Sequence, residues 1–376
     1  MQTIEHKGET ILFTDSLVGG GAQRQLVTLA IAMHNRGRKV RVLTYSNQEQ
    51  LAYLLKEKSI PWDVVKKSCK LDILFFVKLI KYFRDKCPSA VISYLNTANL
   101  WVRIAGPIAG VKNIITSERN IDINRSKLRV QIEKLLHPLS RKIVVNASAI
   151  KELLEGLGIP EKKVSIIYNG IDVSYFCPAS PEKARSFREQ YGIMDHEFLI
   201  LLPGRMSIQK NHMALLNAFI DIHKTYTNIK VILVGNEFDK KIKSTLKEVV
   251  MSNNIENRFI FAGSKLDMPT VYTAADLVVL PSLWEGLPNV VLEAMACERP
   301  VLASDVSDNP IIFDNEKYGF VFSIKTEGGL REGIKKCLEQ GKPDLNLVGK
   351  KARRRVADLC GIEIFADKYE NLIDSK

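Results

Sequence analysis

The chain alternates short apolar segments with amphipathic ones, in two successive series. Because the stretches between the apolar segments carry helical spacing, this alternation is typical of parallel sheets covered by helices. We therefore expect an α/β protein with two doubly wound parallel sheets. The predicted strands are 10–15, 39–45, 89–95, 113–118, 142–148 and 164–169 in the first series, and 198–204, 230–235, 259–263, 276–282 and 300–305 in the second.

A length of 376 residues fits two domains of ordinary size. The stretch 169–183, NGIDVSYFCPASPEK, has Gly, two prolines and no clear period, so we expect the linker there. The predicted domains are 1–172 and 173–361. In doubly wound sheets ligands bind beyond the carboxyl ends of the strands, so the loops at those ends are the candidate site.

The excess of positive charge lies in the first half of the chain. Residues 1–180 contain 27 Lys and Arg against 15 Asp and Glu, whereas residues 181–376 contain 27 of each. A basic surface of this kind is either simply solvated or attracts an anionic membrane or nucleic acid. No Cys/His finger, RNP-like aromatic motif or isolated basic tail is found, so nucleic acid is not the expected partner.

The sequence has neither a run of 18 uncharged apolar residues nor a signal-peptide pattern at its start, so we expect a cytosolic location. The six cysteines form no C-x-x-C pair and are expected to be reduced packing residues. The six histidines show no metal spacing.

A glycine-rich loop, SLVGGGAQRQL, follows the first strand, with Gly19, Gly20 and Gly21 before a helix predicted at 22–36. Glycines there let the backbone approach a phosphate or sugar. The loop fails as a dinucleotide fingerprint, because Arg24 replaces the third glycine and no acid ends the second strand. The alternative is a flexible turn.

Two cations follow the first strand of the second series, in PGRMSIQKNHMALLNAF. Arg205 and Lys210 lie before a helix that Asn211 could cap. Fixed cations at the carboxyl edge of a sheet can clamp a pyrophosphate, although either residue could be an ordinary surface charge.

Two carboxylates stand eight positions apart in DLVVLPSLWEGLPNVVLEAM, namely Glu285 and Glu293. A helix start favours anions, so each could be a cap; the alternative is a polar ligand held between them.

Together these residues resemble the retaining GT-B glycosyltransferases of family 4. The resemblance rests on G-R-x4-K (Gly204, Arg205, Lys210), E-x7-E (Glu285 to Glu293), the glycine-rich loop, NGID at 169–172 and GS at 263–264. It implies two Rossmann-like domains facing across a cleft, with a C-terminal helix at 362–376 that packs back on the first. It is similar in particular to bacterial enzymes that build surface polysaccharides and lipid-linked glycans.

The resemblance also implies roles. Arg205 and Lys210 bind the diphosphate of a nucleotide sugar, Glu293 holds the ribose hydroxyls and Glu285 faces the sugar. No Asp-x-Asp motif is found, so neither a divalent ion nor a cofactor is expected. The remaining donor-side residues are Gly20, Gly21, Gly263, Ser264, Gly286, Leu287, Pro288 and Asn289.

The first domain is expected to hold the acceptor. TSERN, at 116–120, ends its fourth predicted strand, where many relatives carry a histidine near the sugar. Glu118, Arg119 and Asn120 are predicted acceptor or sugar contacts by position. The alternative is a capped strand end with a surface arginine. A second departure from the family is Glu298 with Arg299, where a glycine is common before the proline; we expect it to reshape a turn only.

Two basic segments with apolar residues, 71–86 and 127–137, are candidates for peripheral contact with an anionic membrane. Segment 71–86 has an alternative, a half-buried helix of the sheet with its lysines outward.

The expected function is transfer of a hexose or N-acetylhexosamine from a nucleotide sugar, by default a UDP-sugar, to a glycan acceptor that is lipid-linked, with retention of anomeric configuration. The alternatives are a GT-B sugar-nucleotide epimerase and a non-catalytic sugar-nucleotide-binding protein.

Overall fold

A computed structural model describes residues 8–69, 72–119 and 127–375. The chain forms two compact units. Unit 1 comprises the residues up to Gly170 and those from Ile362 onward, and unit 2 comprises Ile171–Gly361.

Unit 1 contains a seven-stranded sheet in which every neighbouring pair is parallel. The strands are β1 (Thr10–Thr14), β2 (Val40–Thr44), β3 (Trp62–Val64), β4 (Ala90–Tyr94), β5 (Ile114–Glu118), β6 (Lys142–Val145) and β7 (Val164–Ile166). Their order is β3-β2-β1-β4-β5-β6-β7, so the winding reverses between β1 and β4. The helices are α1 (Gly21–Asn35), α2 (Ala52–Glu57), α3 (Ile73–Lys86), α4 (Asn96–Ile108), α5 (Lys127–Leu136), α6 (Ser148–Gly156) and α14 (Ile362–Asp374).

Unit 2 repeats the design with six parallel strands in the order β10-β9-β8-β11-β12-β13. The strands are β8 (Phe198–Pro203), β9 (Ile229–Val234), β10 (Phe259–Gly263), β11 (Leu277–Leu280), β12 (Val301–Ser304) and β13 (Phe320–Phe322). The helices are α7 (Pro181–Gln190), α8 (His212–Ile222), α9 (Lys240–Ser252), α10 (Met268–Ala274), α11 (Asn289–Ala296), α12 (Asn309–Phe313) and α13 (Gly329–Cys360), the last with a kink at Gly341. The reversal falls between β8 and β11.

The α/β class with two parallel sheets is confirmed, and all eleven predicted strands form. The prediction missed β3 and β13. Both have three residues, and β3 is only half-buried.

Helix α14 returns to unit 1 after unit 2 is complete. Its Phe365 and Tyr369 are buried with residues of β1, β4 and α1 in one apolar cluster. Arg36 of α1 donates to Glu363 at 2.8 Å and to Glu370 at 3.0 Å. Apolar burial supplies most of this contact, since such partly exposed ion pairs contribute about 0–1 kcal/mol each.

The two basic segments differ in burial. In α3, Phe75, Leu79 and Phe83 are buried while Ile73, Leu74 and Val77 are exposed. The lysines of α3 point outward, which confirms the half-buried alternative. In α5 every residue is half-buried or exposed, and Leu128 and Leu135 are 67% and 74% exposed.

Reading all six cysteines as packing residues was wrong for two of them. Cys69 and Cys87 are exposed, Cys177 is half-buried, and Cys297, Cys337 and Cys360 are buried. Cys87 ends α3 in a left-handed conformation, a position on the surface rather than in the core.

Candidate functional site

The loop after β8 carries both predicted cations. It runs from Gly204, whose φ of +143° is rarely adopted by residues with side chains, to Asn211. The Gly204 backbone lies so close to Gly235 that a Cβ on Gly235 would be 1.9 Å from the Gly204 carbonyl oxygen. Gly235, at the end of β9, therefore fixes the path of the loop. No sequence motif marks Gly235, although it stands at the carboxyl end of a predicted strand.

Lys210 and Glu285 meet at the reversal point of the unit 2 sheet. The Lys210 ammonium donates to Oε1 of Glu285 at 2.7 Å. They come from the loops after β8 and β11, which are neighbouring strands that leave the sheet at the same edge. The fold thus joins the G-R-x4-K and E-x7-E motifs.

Two further side chains, neither of them among the predicted site residues, hold Glu285. Ser282 donates its hydroxyl to Oε1 at 2.7 Å, and Gln209 donates its amide to Oε2 at 3.1 Å. The same Gln209 amide donates to the Trp284 carbonyl at 2.9 Å. Both carboxylate oxygens therefore have fixed donors, which set the orientation of the group.

Arg205 is the exposed member of the pair of cations. Its guanidinium lies 4.9 Å from the centre of the Phe238 ring, a cation–π contact that steers the side chain without neutralising it. Its hydrogen bond to Gln209, at 3.4 Å, is long. A charged fork that is exposed and weakly bound suits capture of an anionic ligand.

The segment from Gly286 to Asn289 leads into α11. Pro288 takes the N-cap position, and Asn289 is the first helical residue. Leu287 and Pro288 are buried, and Ser307 donates its hydroxyl to the Gly286 carbonyl. The start of a helix, where backbone N–H groups point along the axis, favours an anion.

Glu293 lies in the second turn of α11 and is half-buried. Tyr272 of α10, which belongs to none of the predicted site motifs, donates its hydroxyl to Oε2 of Glu293 at 2.8 Å. Glu293 is thus a side chain oriented by its neighbour. The two carboxylates of the E-x7-E motif have different surroundings, since Glu285 is paired with a cation and Glu293 with a phenol.

His212 follows the loop as the first residue of α8. It is 1% exposed, and burial together with the Lys210 charge lowers its pKa to about 4. The ring is therefore neutral at neutral pH.

Asn211 does occupy the N-cap position of α8, but its side chain makes no capping hydrogen bond within the described part of the chain, so the predicted cap is wrong.

Gly263 and Ser264 lie at the same edge of the unit 2 sheet. Gly263 ends β10 with a φ of +66°, and its carbonyl accepts from the Gly235 amide at 3.0 Å. Ser264 is exposed. Gly263 and Ser264 therefore lie beside the end of β9, next to Gly235, which supports the loop of Arg205 and Lys210.

In unit 1, Gly20 and Gly21 begin α1, as the N-cap and the first helical residue. The amide of Gly19 is held by Oε1 of Gln50 at 2.9 Å. The predicted turn before a helix is present, beside the reversal point of this sheet.

Glu118 ends β5 and Arg119 follows it, and both are buried, at 3% and 5% exposure. Arg119 donates to the hydroxyls of Tyr94 at 2.8 Å and Tyr369 at 2.6 Å, and also to Asn169. The alternative of a surface arginine is therefore wrong, because Arg119 ties β5 to α14. Asn120 lies outside the described residues.

The structure thus brings together Arg205, Lys210 and Glu285 through Gln209, and places Glu293 on the helix that follows. Gly20, Gly21, Glu118 and Arg119 belong to unit 1. Among the described residues, no group of three or more His, Cys, Asp or Glu side chains could hold a metal ion. In the same part of the chain, no helix combines the length and hydropathy needed to span a bilayer.

Solved structures share this architecture. Anabaena HepE, crystallised in complex with UDP, superposes with a TM-score of 0.87 at 21% identity, covering 98% of this chain and 100% of that one. WaaG, a glycosyltransferase involved in lipopolysaccharide biosynthesis, superposes with a TM-score of 0.71 at 16% identity, covering 97% and 100%. The two parallel sheets define the GT-B fold.

Sequence profiles then give the family. The profile of Glycosyltransferase Family 4 matches residues 19–175, and that of Glycosyl transferases group 1 matches residues 183–355. The chain belongs to these GT-B glycosyltransferases and is a transferase.

Two curated relatives cover most of the chain. One is the Escherichia coli UDP-Gal:alpha-D-GlcNAc-diphosphoundecaprenol alpha-1,3-galactosyltransferase, 24% identical over 80% of this chain and 79% of its own length. The other is the Campylobacter jejuni N-acetylgalactosamine-N,N'-diacetylbacillosaminyl-diphospho-undecaprenol 4-alpha-N-acetylgalactosaminyltransferase, 24% identical over 88% and 90%.

Proposed function

We propose that this enzyme transfers a hexose or N-acetylhexosamine from a UDP-sugar to a glycan linked to a polyprenyl diphosphate, with retention of anomeric configuration. The observation that carries the proposal is the ion pair of Lys210 and Glu285 at the reversal point of the unit 2 sheet, to which Arg205 is linked through Gln209. Cations suit a diphosphate and a carboxylate suits sugar hydroxyls, so the one cluster offers both chemistries. The diphosphoundecaprenol acceptors named for the two relatives support the lipid-linked acceptor.

In the proposed reaction, the bond between the sugar C1 and the diphosphate oxygen breaks, and the oxygen keeps the electron pair. The acceptor hydroxyl forms a new bond to C1 on the same face and gives its proton to the departing phosphate. Arg205 and Lys210 stabilise the charge that grows on this phosphate. Glu285 accepts from the sugar hydroxyls and Glu293 from the ribose. Because fixed cations stabilise the leaving group, the scheme requires no divalent ion.

The test is transfer from a panel of UDP-sugars to a short polyprenyl diphosphate sugar, with the product linkage and anomeric configuration read by NMR. The expected result is one α-linked product from an α-linked donor, formed equally with and without EDTA. A β-linked product would overturn retention, and loss of activity in EDTA would overturn metal independence.

The alternatives have separate signatures. An epimerase would convert the free UDP-sugar to its epimer without acceptor, and a binding protein would bind UDP and form no product. The same samples are analysed for the epimer and for the transfer product. Epimer formed without acceptor would support the epimerase, and UDP binding without any product would support the binding protein.

We further propose that unit 1 contacts an anionic membrane surface and holds the acceptor, with Glu118 and Arg119 near it. The exposed apolar residues Ile73, Leu74 and Val77 on α3 and Leu128 and Leu135 on α5 lie among outward lysines. Apolar insertion combined with about 1 kcal/mol for each basic residue near an anionic surface suits reversible binding.

The test is flotation with vesicles of phosphatidylglycerol and phosphatidylethanolamine. Leu128→Asp with Leu135→Asp should lower the bound fraction severalfold, whereas Leu266→Asp with Leu347→Asp, at exposed positions of unit 2, should not. Equal loss in both pairs, or no binding of the wild type, would overturn the membrane proposal and leave the transfer proposal intact.

A further inference from the structure

Tyr272 is a buried tyrosine that reaches the proposed donor site from a different helix. It lies on α10 and is fully buried, and its hydroxyl donates to Oε2 of Glu293 on α11 at 2.8 Å. Burial and the Glu293 charge raise the pKa of Tyr272 well above its usual value. The hydroxyl therefore keeps its proton and remains a donor at any physiological pH.

The hydrogen bond from Tyr272 restrains the plane of the Glu293 carboxylate, whereas a carboxylate without such a bond can rotate. The terminal torsion of Glu is broad, so an unrestrained carboxylate samples many planes. A carboxylate has two oxygens with about four lone-pair sites, so the hydrogen bond from Tyr272 does not by itself use up its capacity to accept protons. A fixed plane lowers the entropic cost of binding a diol, whose two hydroxyls must meet the carboxylate at once.

We propose that Tyr272 is a positioning residue that fixes the Glu293 carboxylate for the ribose hydroxyls of the donor nucleotide. This inference rests on the proposed function, in which Glu293 binds the ribose. It assigns to Tyr272 an effect that a purely structural tyrosine would not have, since its hydroxyl matters only for ligands that carry the ribose hydroxyls.

The experiment compares UDP with 2′,3′-dideoxy-UDP by calorimetry. Tyr272→Phe keeps the ring that fills the core and removes the hydroxyl. It should weaken UDP binding about tenfold, the scale of one hydrogen bond to a charged group, and leave dideoxy-UDP binding unchanged within about twofold. Tyr226→Phe is the matched control, because the hydroxyl of Tyr226 contacts Glu339 on the surface of unit 2.

Glu293→Gln separates the two proposals. If it weakens UDP and dideoxy-UDP alike, Glu293 does not bind the ribose and the proposed donor role is wrong. If it removes the preference for UDP while Tyr272→Phe keeps that preference, the donor role stands and the positioning role of Tyr272 is overturned. In the expected case, Tyr272→Phe adds no further loss when Glu293→Gln is already present.

Binding of dideoxy-UDP also reports whether the site is folded. If Tyr272→Phe binds neither nucleotide, the two affinities are measured for Tyr272→Gln, whose amide offers a donor. Recovery of a preference for UDP would support positioning, and loss of both affinities there as well would assign Tyr272 a structural role only.

Discussion

Lys210 and Glu285, which are 75 positions apart in the sequence, form an ion pair of 2.7 Å with side chains only 12% and 8% exposed. The cation expected to bind the donor diphosphate is therefore already balanced by the first acid of the E-x7-E motif. A donor that binds Lys210 must share this cation with Glu285, which couples recognition of the diphosphate to recognition of the sugar.

Removal of one partner of this pair should destabilise unit 2. Lys210→Met leaves a buried carboxylate without its cation and should lower the free energy of unfolding by about 3–5 kcal/mol. The double variant Lys210→Met, Glu285→Gln should recover most of that loss, while transfer stays low. Urea denaturation measures the first effect and product formation the second. A double variant as unstable as the single one would contradict this account.

Arg205 should matter for transfer and little for stability, because its guanidinium is exposed. Arg205→Ala should lower kcat/KM by about 2–4 kcal/mol of transition-state stabilisation, that is roughly 30-fold to 1000-fold. Its free energy of unfolding should change by less than about 0.5 kcal/mol. Arg331→Ala, which removes a partly exposed arginine of α13, is the control and should leave kcat/KM unchanged. Equal effects of the two variants would rule out the role of Arg205.

His212 should make the stability depend on pH. Its pKa is about 4 in the folded protein, below the usual 6.5, because of burial and the Lys210 charge. Between pH 6.5 and 4 the unfolded state therefore binds the proton and the folded state does not, so the free energy of unfolding falls as pH falls, by up to about 1.4 kcal/mol per pH unit. His212→Gln should make this dependence shallower, as measured by urea denaturation at pH 4.5, 5.5 and 7. An unchanged slope would contradict the prediction.

Gly235 should tolerate no side chain, because a Cβ there meets the Gly204 carbonyl oxygen at 1.9 Å. Gly235→Ala should cost about 3 kcal/mol or more and displace the loop of Arg205 and Lys210. Gly156→Ala, in open space at the end of α6, should be neutral or stabilising by up to about 1 kcal/mol. Thermal unfolding and UDP affinity would be measured for both. A mild effect of Gly235→Ala on both would show that the loop can move away.

At Glu298, in contrast to Gly235, a glycine should be more stable than the residue present. Glu298 stands where the family commonly has glycine, and its φ of +59° is left-handed. Glu298→Gly should therefore stabilise the protein by about 1 kcal/mol, since residues with side chains are strained in that region. Activity should stay the same, as expected of a turn outside the cluster of Arg205, Lys210 and Glu285. A lower melting temperature would show that the Glu298 side chain makes a compensating contact.

Local sequence sufficed for the elements that depend on local pattern. Alternation of apolar and amphipathic segments predicted eleven of the thirteen strands described by the structure, because each lies in an apolar run of the sequence. It missed β3 and β13, which have three residues each. The conformation of Glu298 could be suspected only because a glycine is usual there.

The residues that support the site were beyond sequence reasoning. Tyr272, Ser282 and Gln209 have no motif, and their importance comes from the carboxylates they contact. The contact of the Arg119 guanidinium with Tyr369, which is 250 positions away, also has no signal in the sequence.

By itself, the sequence determined the two-domain α/β class, the family and the identity of the charged groups, because strand period and motif spacing are properties of neighbouring residues. Only the tertiary structure decided which charges meet. The reversal of strand order between β8 and β11 brings two loops to one edge of the sheet, so Lys210 pairs with Glu285. The packing of α10 against α11 places the Tyr272 hydroxyl within hydrogen-bonding distance of Glu293. Buried polar groups form hydrogen bonds with whatever partners are near in space, and these partners need not be near in the sequence.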